Sequence, residues 1–404
     1  MNYKLNLVAD QTIKGKIYPA LARHEARPYT PGWRQFGEHW PYTTPVRIQE
    51  YCGQHGIDLT VHNIDHSLPA NTYYPVCLGF FDFDIDYFEL MTVAVRKKLH
   101  RSELRVLFMY HEGDSPRRIK NRLEALAEQH LLPPDCYIFV SSNTSADQLP
   151  GFVTFHDFEL WYYQRNINSA PLEIHNLPRE RDFTCLSRLH KWWRATAMAD
   201  LHRSGILSNS YWSYCEEPYG EDTDCPIEVD MISQLRYDRK RFLDQAPYIS
   251  DELSDSDRNN HSVMEPKYFA NAYCNIVLES QFDVDQSNGA FVTEKTFKPI
   301  KHGQLFFVGG GAGSLQVLRD LGYRVFDGIL DNSYDKIANH TQRWESLRDS
   351  IAAAQPRLPQ LFEAARADIE HNQQLFVANK SKRLNSLIEK IHEQSTPAGN
   401  HLKK

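Results

Sequence analysis

Paired cysteines, long apolar runs, an excess of basic charge and a phosphate-loop lysine are all missing from this chain of 404 residues. The 7 cysteines lie scattered at 52, 77, 136, 185, 215, 225 and 274, and no two are separated by two residues. That spacing excludes a zinc ribbon and gives no disulfide framework, so a reducing, cytoplasmic setting is expected. No stretch approaches the ~18 apolar residues of a membrane span, and the opening MNYKLNLVADQTIKG has no apolar core behind a basic end. Lys plus Arg number 45 against 52 Asp plus Glu, a net charge of −7, which disfavours nucleic acid as the default partner and leaves only a locally basic groove. Glycines 309, 310, 311 and 313 are followed by no Lys-Ser/Thr, which removes a P-loop, and their spacing misses GxGxxG.

What is present is enough apolar material, 41% hydrophobic and 12% aromatic, for two cores. Two domains are expected, residues 1–175 and 176–360. The second carries an acidic insertion near 215–262, and helices at 361–395 are placed to cross back to the first domain. Apolar strands alternate with helical spacings in both halves, which predicts an α/β fold of two Rossmann-like domains.

In the first half, aromatics at Tyr29, Trp33, Phe36, Trp40 and Tyr42 are interleaved with prolines, which argues against regular helix there. Pro45–His55 reads as a helix and Ile57–His62 as a strand. Asp82, Asp84 and Asp86 alternate, predicting a solvated strand face, with a metal site as the other reading. Arg105–Tyr110 is a clear strand, and Ser115-Pro116 opens a helix with the serine as its cap. Between them stand His111, Glu112 and Asp114, on a loop after a parallel strand, where α/β folds place chemistry. A carboxylate or imidazole there could take a proton from a hydroxyl as a bond forms. An ordinary polar loop is the alternative.

In the second half, a strand over 182–186 leads into a helix over 187–201 whose first turns carry Arg188, His190 and Arg194. The densest information lies in Tyr273–Tyr334. The apolar run Cys274–Leu278 ends in Glu279 and Ser280, and Thr293-Glu294-Lys295 opens a helix. Leu305–Val308 closes on the glycines, and Tyr323–Phe326 reads as a further strand. Glu and Lys beside a helix start offer partners for ribose hydroxyls and for a diphosphate, although the same residues also suit a solvated first turn. Asp283, Asp285 and Ser287 imitate a calcium loop, but the glycine falls one place late and helices do not flank it.

This segment resembles the donor-binding signature of the α1,3-fucosyltransferases. In that pattern a strand ends in Glu-Asn-Ser, Tyr/Phe-x-Thr-Glu-Lys follows, and then Gly-x-x-Pro-Val-Val-x-Gly. Here Glu279-Ser280, Phe291-Val292-Thr293-Glu294-Lys295 and Gly303-Gln304-Leu305-Phe306-Phe307-Val308-Gly309 stand in those places, without the Asn and the Pro. The resemblance implies a GT-B-like pair of Rossmann-like domains facing a central cleft, and a glycosyltransferase using a nucleotide-sugar, with a GDP-sugar favoured and a UDP-sugar the alternative. It implies that Glu294 and Lys295 hold ribose and phosphates, with Glu279 and Thr293 in the same donor site and Arg188 near the diphosphate. Glu112, Asp114 or His111 is then the expected base toward a glycan or other hydroxyl acceptor. The reaction is expected to be inverting and to need no metal or further cofactor. A noncatalytic nucleotide- or glycan-binding protein, and sugar transfer to nucleic acid bases, stay open as alternatives.

Overall fold

The computed structural model describes residues 4–8, 57–78, 81–110, 112–166, 168, 170–174, 178–187, 191–214, 233–248, 265–282, 289–378 and 380–395. The chain divides into two units, Met1–Asp157 with Asn379–Lys404, and Phe158–Ala378. The division at 157 precedes the position expected near 175. Each unit is a β/α domain built on a parallel sheet, the fold class expected from the sequence. The proline-rich aromatic stretch, the helix at 45–55, His111, Arg188, His190, the calcium-like loop and most of the acidic insertion lie outside the described residues.

In the first unit the strands are β1 (Lys4–Val8), β2 (Asp58–His62), β3 (Thr72–Leu78), β4 (Arg105–Tyr110), β5 (Tyr137–Ser141) and β6 (Phe152–Thr154). All pair in parallel, in the order β2-β1-β3-β4-β5-β6. Helix α1 (Val93–His100) joins β3 to β4, and α2 (Pro116–Gln129) joins β4 to β5. Thr92 caps α1 by accepting from the Val95 N–H, and Lys97, Lys98 and His100 suit its negative end. Pro116 starts α2, where its missing N–H costs nothing. Ser115 makes no side-chain cap bond, contrary to expectation. Ile119, Leu123, Leu126 and Ala127 form the buried stripe of α2 and pack in one core with Val106, Phe108 and Phe139.

Asp82, Asp84 and Asp86 do not form a strand face. They sit in turns, where Asp82 accepts from the Asp84 N–H at 2.8 Å and Asp86 from the Phe88 and Glu89 N–H groups at 3.1 and 2.9 Å. Short acidic side chains close such turns on their own backbone, and that local bonding defeats the alternation read as a strand.

Helix α3 (Asp157–Arg165) leads into the second unit, whose elements are β7 (Arg181–Ser187), α4 (Trp192–Arg203), β8 (Ser210–Tyr214), α5 (Ser233–Leu243), α6 (Pro266–Ala270), β9 (Ala272–Leu278), α7 (Glu294–Lys301), β10 (Leu305–Gly309), α8 (Ser314–Asp320), α9 (His340–Ala354), α10 (Leu358–Ala364) and α11 (Arg366–Val377). The last helix, α12 (Ser381–Ser395), belongs to the first unit. The second sheet is parallel throughout, in the order β10-β9-β7-β8. Every residue of β9 and β10 is buried, as continuous apolar runs require of strands covered on both faces.

Tyr323–Phe326 is not a strand. Its side chains Tyr323, Val325 and Phe326 are buried, but Asn372 of α11 takes the place of a neighbouring strand. The Asn372 Oδ1 accepts from the Arg324 N–H at 2.8 Å, and its Nδ2 donates to the Arg324 carbonyl at 2.8 Å. Among the described residues no helix is long and apolar enough to cross a membrane.

Candidate functional site

The second sheet reverses direction of growth between β7 and β9. From β7 the chain adds β8 on one side, then crosses back to lay β9 and β10 on the other. Crevices at such a switch point, outside the carboxyl ends of the strands, are where open α/β sheets bind ligands. The β7–β9 register pairs Phe183 with Cys274 and Thr184 with Asn275, and carried to the strand ends it sets Ser187 opposite Leu278. The next residues are Glu279 and Ser280.

Glu279 is fully buried. Its N–H continues the ladder to the Gly309 carbonyl at 2.8 Å. One carboxylate oxygen accepts from the Thr293 N–H at 2.9 Å and the Thr296 hydroxyl at 2.5 Å. The other accepts from the Thr293 hydroxyl at 2.7 Å and the Ser280 N–H at 3.2 Å. With no exposed surface, this carboxylate is met by four protein donors. It ties the end of β9 to the start of α7. Thr293, also buried, completes that tie as the cap of α7, its hydroxyl accepting from the Lys295 N–H at 3.4 Å. It too acts from behind the surface.

Lys295 is different, since its side chain retains 28% of its exposure while Glu294 keeps only 5%. The Lys295 ammonium lies 3.0 Å from the Glu294 carboxylate, 3.2 Å from the Thr293 hydroxyl and 3.3 Å from the Ser280 hydroxyl. The sequence-predicted residues Glu279, Thr293, Glu294 and Lys295 are thus brought together at one strand end, and Lys295 is the cation a solute can reach.

Arg194, in the first turn of α4, comes to the same edge from across the switch point. It is 2% exposed, and its Nε donates to the Glu279 carbonyl at 3.0 Å. Burial pulls its guanidinium below the usual arginine range, with the Glu279 and Glu294 carboxylates acting in the opposite direction. Among the described residues, Ser187 Oγ at the end of β7, Trp193 Nε1 in the first turn of α4 and Gln281 Oε1 after β9 are buried without a hydrogen-bond partner. An unmet buried donor or acceptor costs about 1–3 kcal/mol, so each is a local cost carried by this part of the fold.

The glycines close the edge. Gly313 opens α8 at a φ of +87°, open to glycine without strain. At Gly310 an added Cβ would come within 2.7 Å of the Ser314 hydroxyl, so a side chain there would collide with the start of α8. Asp335, buried, accepts from the Leu315 N–H at 3.0 Å and pins the start of α8; burial holds its carboxyl above the ordinary range.

In the first unit, β4 ends at Tyr110 and the loop 112–114 follows. The Tyr110 hydroxyl donates to the Asp114 carboxylate. Burial raises the Tyr110 phenol well above its usual range, and the nearby Asp114 and Glu112 charges add to that. Asp114 therefore spends part of its accepting capacity on Tyr110, and Glu112 beside it is half-buried. Asn143 at the end of β5 fixes this loop: its Nδ2 donates to the Gly113 carbonyl at 2.8 Å, while its Oδ1 accepts from the Ser145 N–H and hydroxyl, both at 2.9 Å. Nothing local in the sequence marks Asn143, Ser187, Trp193 or Asp335 as members of these edges; only the strand ends after which Asn143 and Ser187 fall could have pointed to them. Among the described residues no cluster of His, Cys, Asp or Glu is arranged to hold a metal ion.

No protein-family model matches the chain, and no curated protein matches it. Among solved structures, the DNA-modifying enzyme β-glucosyltransferase, crystallised with and without uridine diphosphoglucose, aligns at 9% identity over 87% of this chain and 94% of its own, with a TM-score of 0.35. A T4 phage BGT mutant bound to UDP-glucose aligns at 10% identity over 85% and 89%, with a TM-score of 0.27. At those scores the likeness carries no conclusion about activity.

Proposed function

We propose that the protein is a nucleotide-sugar-dependent glycosyltransferase whose donor binds at the β7–β9 switch point of the second unit. The observation that carries this reading is Lys295. Its reachable ammonium stands at the start of α7, beside the Ser280 hydroxyl and the Glu294 carboxylate. A diphosphate needs cations and helix-start N–H groups, and a ribose needs a carboxylate to accept from its hydroxyls. Lys295 and Arg194 supply positive charge, α4 and α7 both begin at this edge, and Glu294 supplies the acceptor. The charges of Lys295 and Arg194 only balance those of Glu279 and Glu294, so the N–H groups of the helix starts are needed to favour an anion.

In the proposed reaction an acceptor hydroxyl oxygen bonds to the anomeric carbon and the bond from that carbon to the phosphate oxygen breaks. The acceptor proton passes to Glu112, and the electron pair leaves on the nucleoside diphosphate. Negative charge grows on the leaving phosphate, so Lys295 stabilises the transition state more than the ground state. A single displacement of this kind inverts the anomeric centre. GDP is the favoured nucleotide and UDP the alternative, on the resemblance of the Thr293-Glu294-Lys295 segment.

Calorimetry with GDP, UDP, CMP and dTDP tests the reading. One nucleotide should bind saturably, and Lys295→Ala should weaken it about tenfold or more, the loss of a charge-assisted contact. Glu112→Gln should leave that affinity intact and lower transfer by about a hundredfold or more. If no nucleotide binds to the folded protein, the donor site is refuted; binding without transfer to any hydroxyl acceptor favours the noncatalytic alternative.

A further inference from the structure

Behind the ligand edge lies a guanidinium that the sequence gives no reason to notice. Arg343, in the first turn of α9, is 1% exposed. Its Nε donates to the Gly310 carbonyl at 3.2 Å, and Nη1 donates to the Ile337 and Ala338 carbonyls at 2.7 and 3.0 Å. Nη2 donates to the Phe282 carbonyl and to His340 Nδ1, the latter at 3.0 Å. All five donors of a planar fork are thereby used. The same guanidinium lies over the Phe282 ring at 4.5 Å, and Phe282 stacks on Trp193 with centroids 4.8 Å apart at 18°.

These acceptors belong to three separate segments: the loop after β9, the loop after β10 and the turn into α9. The first carries Ser280 and Gln281 to the switch point, and the second carries the glycines that close on Glu279. Through Phe282 the guanidinium also backs Trp193 and hence the start of α4. We propose that Arg343 is the positioning residue of this ligand edge. It fixes the spacing of the β9 and β10 loops, and so the placement of Ser280 beside Lys295, without itself meeting a ligand. The inference deepens the nucleotide reading and rests on it for the nature of the ligand, though not for the coupling of the loops. A lysine keeps the charge but offers a compact ammonium on a flexible stem, which cannot bridge three segments at once.

The test is hydrogen exchange read by mass spectrometry on the full chain, wild type beside Arg343→Lys, with calorimetric titration of both by UDP and GDP. In Arg343→Lys, exchange over 280–282 and 310–313 should rise by about tenfold or more, while β7, β9 and β10 stay protected. The affinity for whichever diphosphate the wild type binds should fall about tenfold. Unchanged exchange in those loops overturns the proposal, as does a rise spread evenly over strands and loops, which marks general destabilisation. Loosened loops with undiminished affinity overturn it as well. A wild-type protein that binds neither diphosphate refutes the nucleotide reading, and the exchange result alone then decides whether Arg343 couples the loops. Should Arg343→Lys not fold, wild-type exchange along a urea series takes its place: opening of the two loops at one shared free energy supports the coupling, and independent opening overturns it.

Discussion

Two neighbouring groups of the ligand edge, Glu279 and Lys295, differ in what the solvent sees, and their variants should fail differently. Lys295→Ala is expected to reduce nucleotide affinity with little change in stability, since the ammonium is partly solvated. Glu279→Gln puts an amide NH2 among hydroxyl and N–H donors in a fully buried place, so it should cost about 2 kcal/mol or more, read as a lower denaturant midpoint. A midpoint equal to wild type would mean that the four bonds to Glu279 are not worth what their burial implies. His302 gives the corresponding pH prediction. It is 4% exposed, and burial, helped by the Lys301 and Lys298 charges, lowers its imidazole to about 3. The unfolded chain takes up that proton near the ordinary histidine value of about 6.5, whereas the folded chain resists it until about 3. Stability from this group is therefore whole above about pH 6.5 and drains away as pH falls toward 3. His302→Phe should flatten the fall in unfolding free energy between pH 6.5 and 4.5, measured by urea titration at each pH. The sequence made Glu294 and Lys295 legible because a helix start and its chemistry are local. It could not show what holds Glu279, since four donors from 280, 293 and 296 converge only after folding, and it passed over Arg343, whose acceptors are distant in the chain.

At the scale of elements, local patterns were reliable where hydrophobic runs faced a sheet and weaker where a side chain could stand in for backbone. The strands at Arg105–Tyr110, Ala272–Leu278 and Leu305–Gly309, and the helix at Glu294–Lys301, follow from runs and caps that any reader of the chain can find. Tyr323–Phe326 looked the same, with alternation and Gly322 before it, yet its main-chain partner is a side-chain amide from α11. No pattern within the segment could reveal Asn372. Replacing Asn372 by Ala removes both bonds to Arg324 and should cost about 1–3 kcal/mol. The effect should appear as faster amide exchange at Arg324 alone in its neighbourhood. If the Arg324 amide keeps its protection in Asn372→Ala, the amide bridge is not what orders the segment.

Across the whole molecule, the fold class was readable from alternating strands and helices, while the ownership of the last helix was not settled by composition or length. Helix α12 packs within the first unit, burying Leu384, Leu387, Ile388 and Ile391. The Tyr73 hydroxyl of β3 bonds to Ser395 Oγ at 2.7 Å and to His392 Nδ1 at 3.0 Å. Lys390 pairs with Asp147 at 2.7 Å, and Gln394 accepts from the Gly151 N–H at 3.0 Å. Removing residues 379–404 should therefore unfold or loosen the first unit at a lower temperature while the second keeps its own transition. Calorimetry that resolves the two transitions checks this, and an unshifted first transition would show that α12 adds nothing to that unit.

The placement of α12 also sets an order of events during synthesis. The first unit's strands leave the ribosome early, but the helix that covers Tyr73 is translated only after residues 158–378 have emerged. The half of the protein made first is thus the half completed last. Until Ser381–Ser395 arrives, a folding second unit hangs from a sheet whose apolar surface still waits for its cover, the kind of exposed intermediate that chaperones hold.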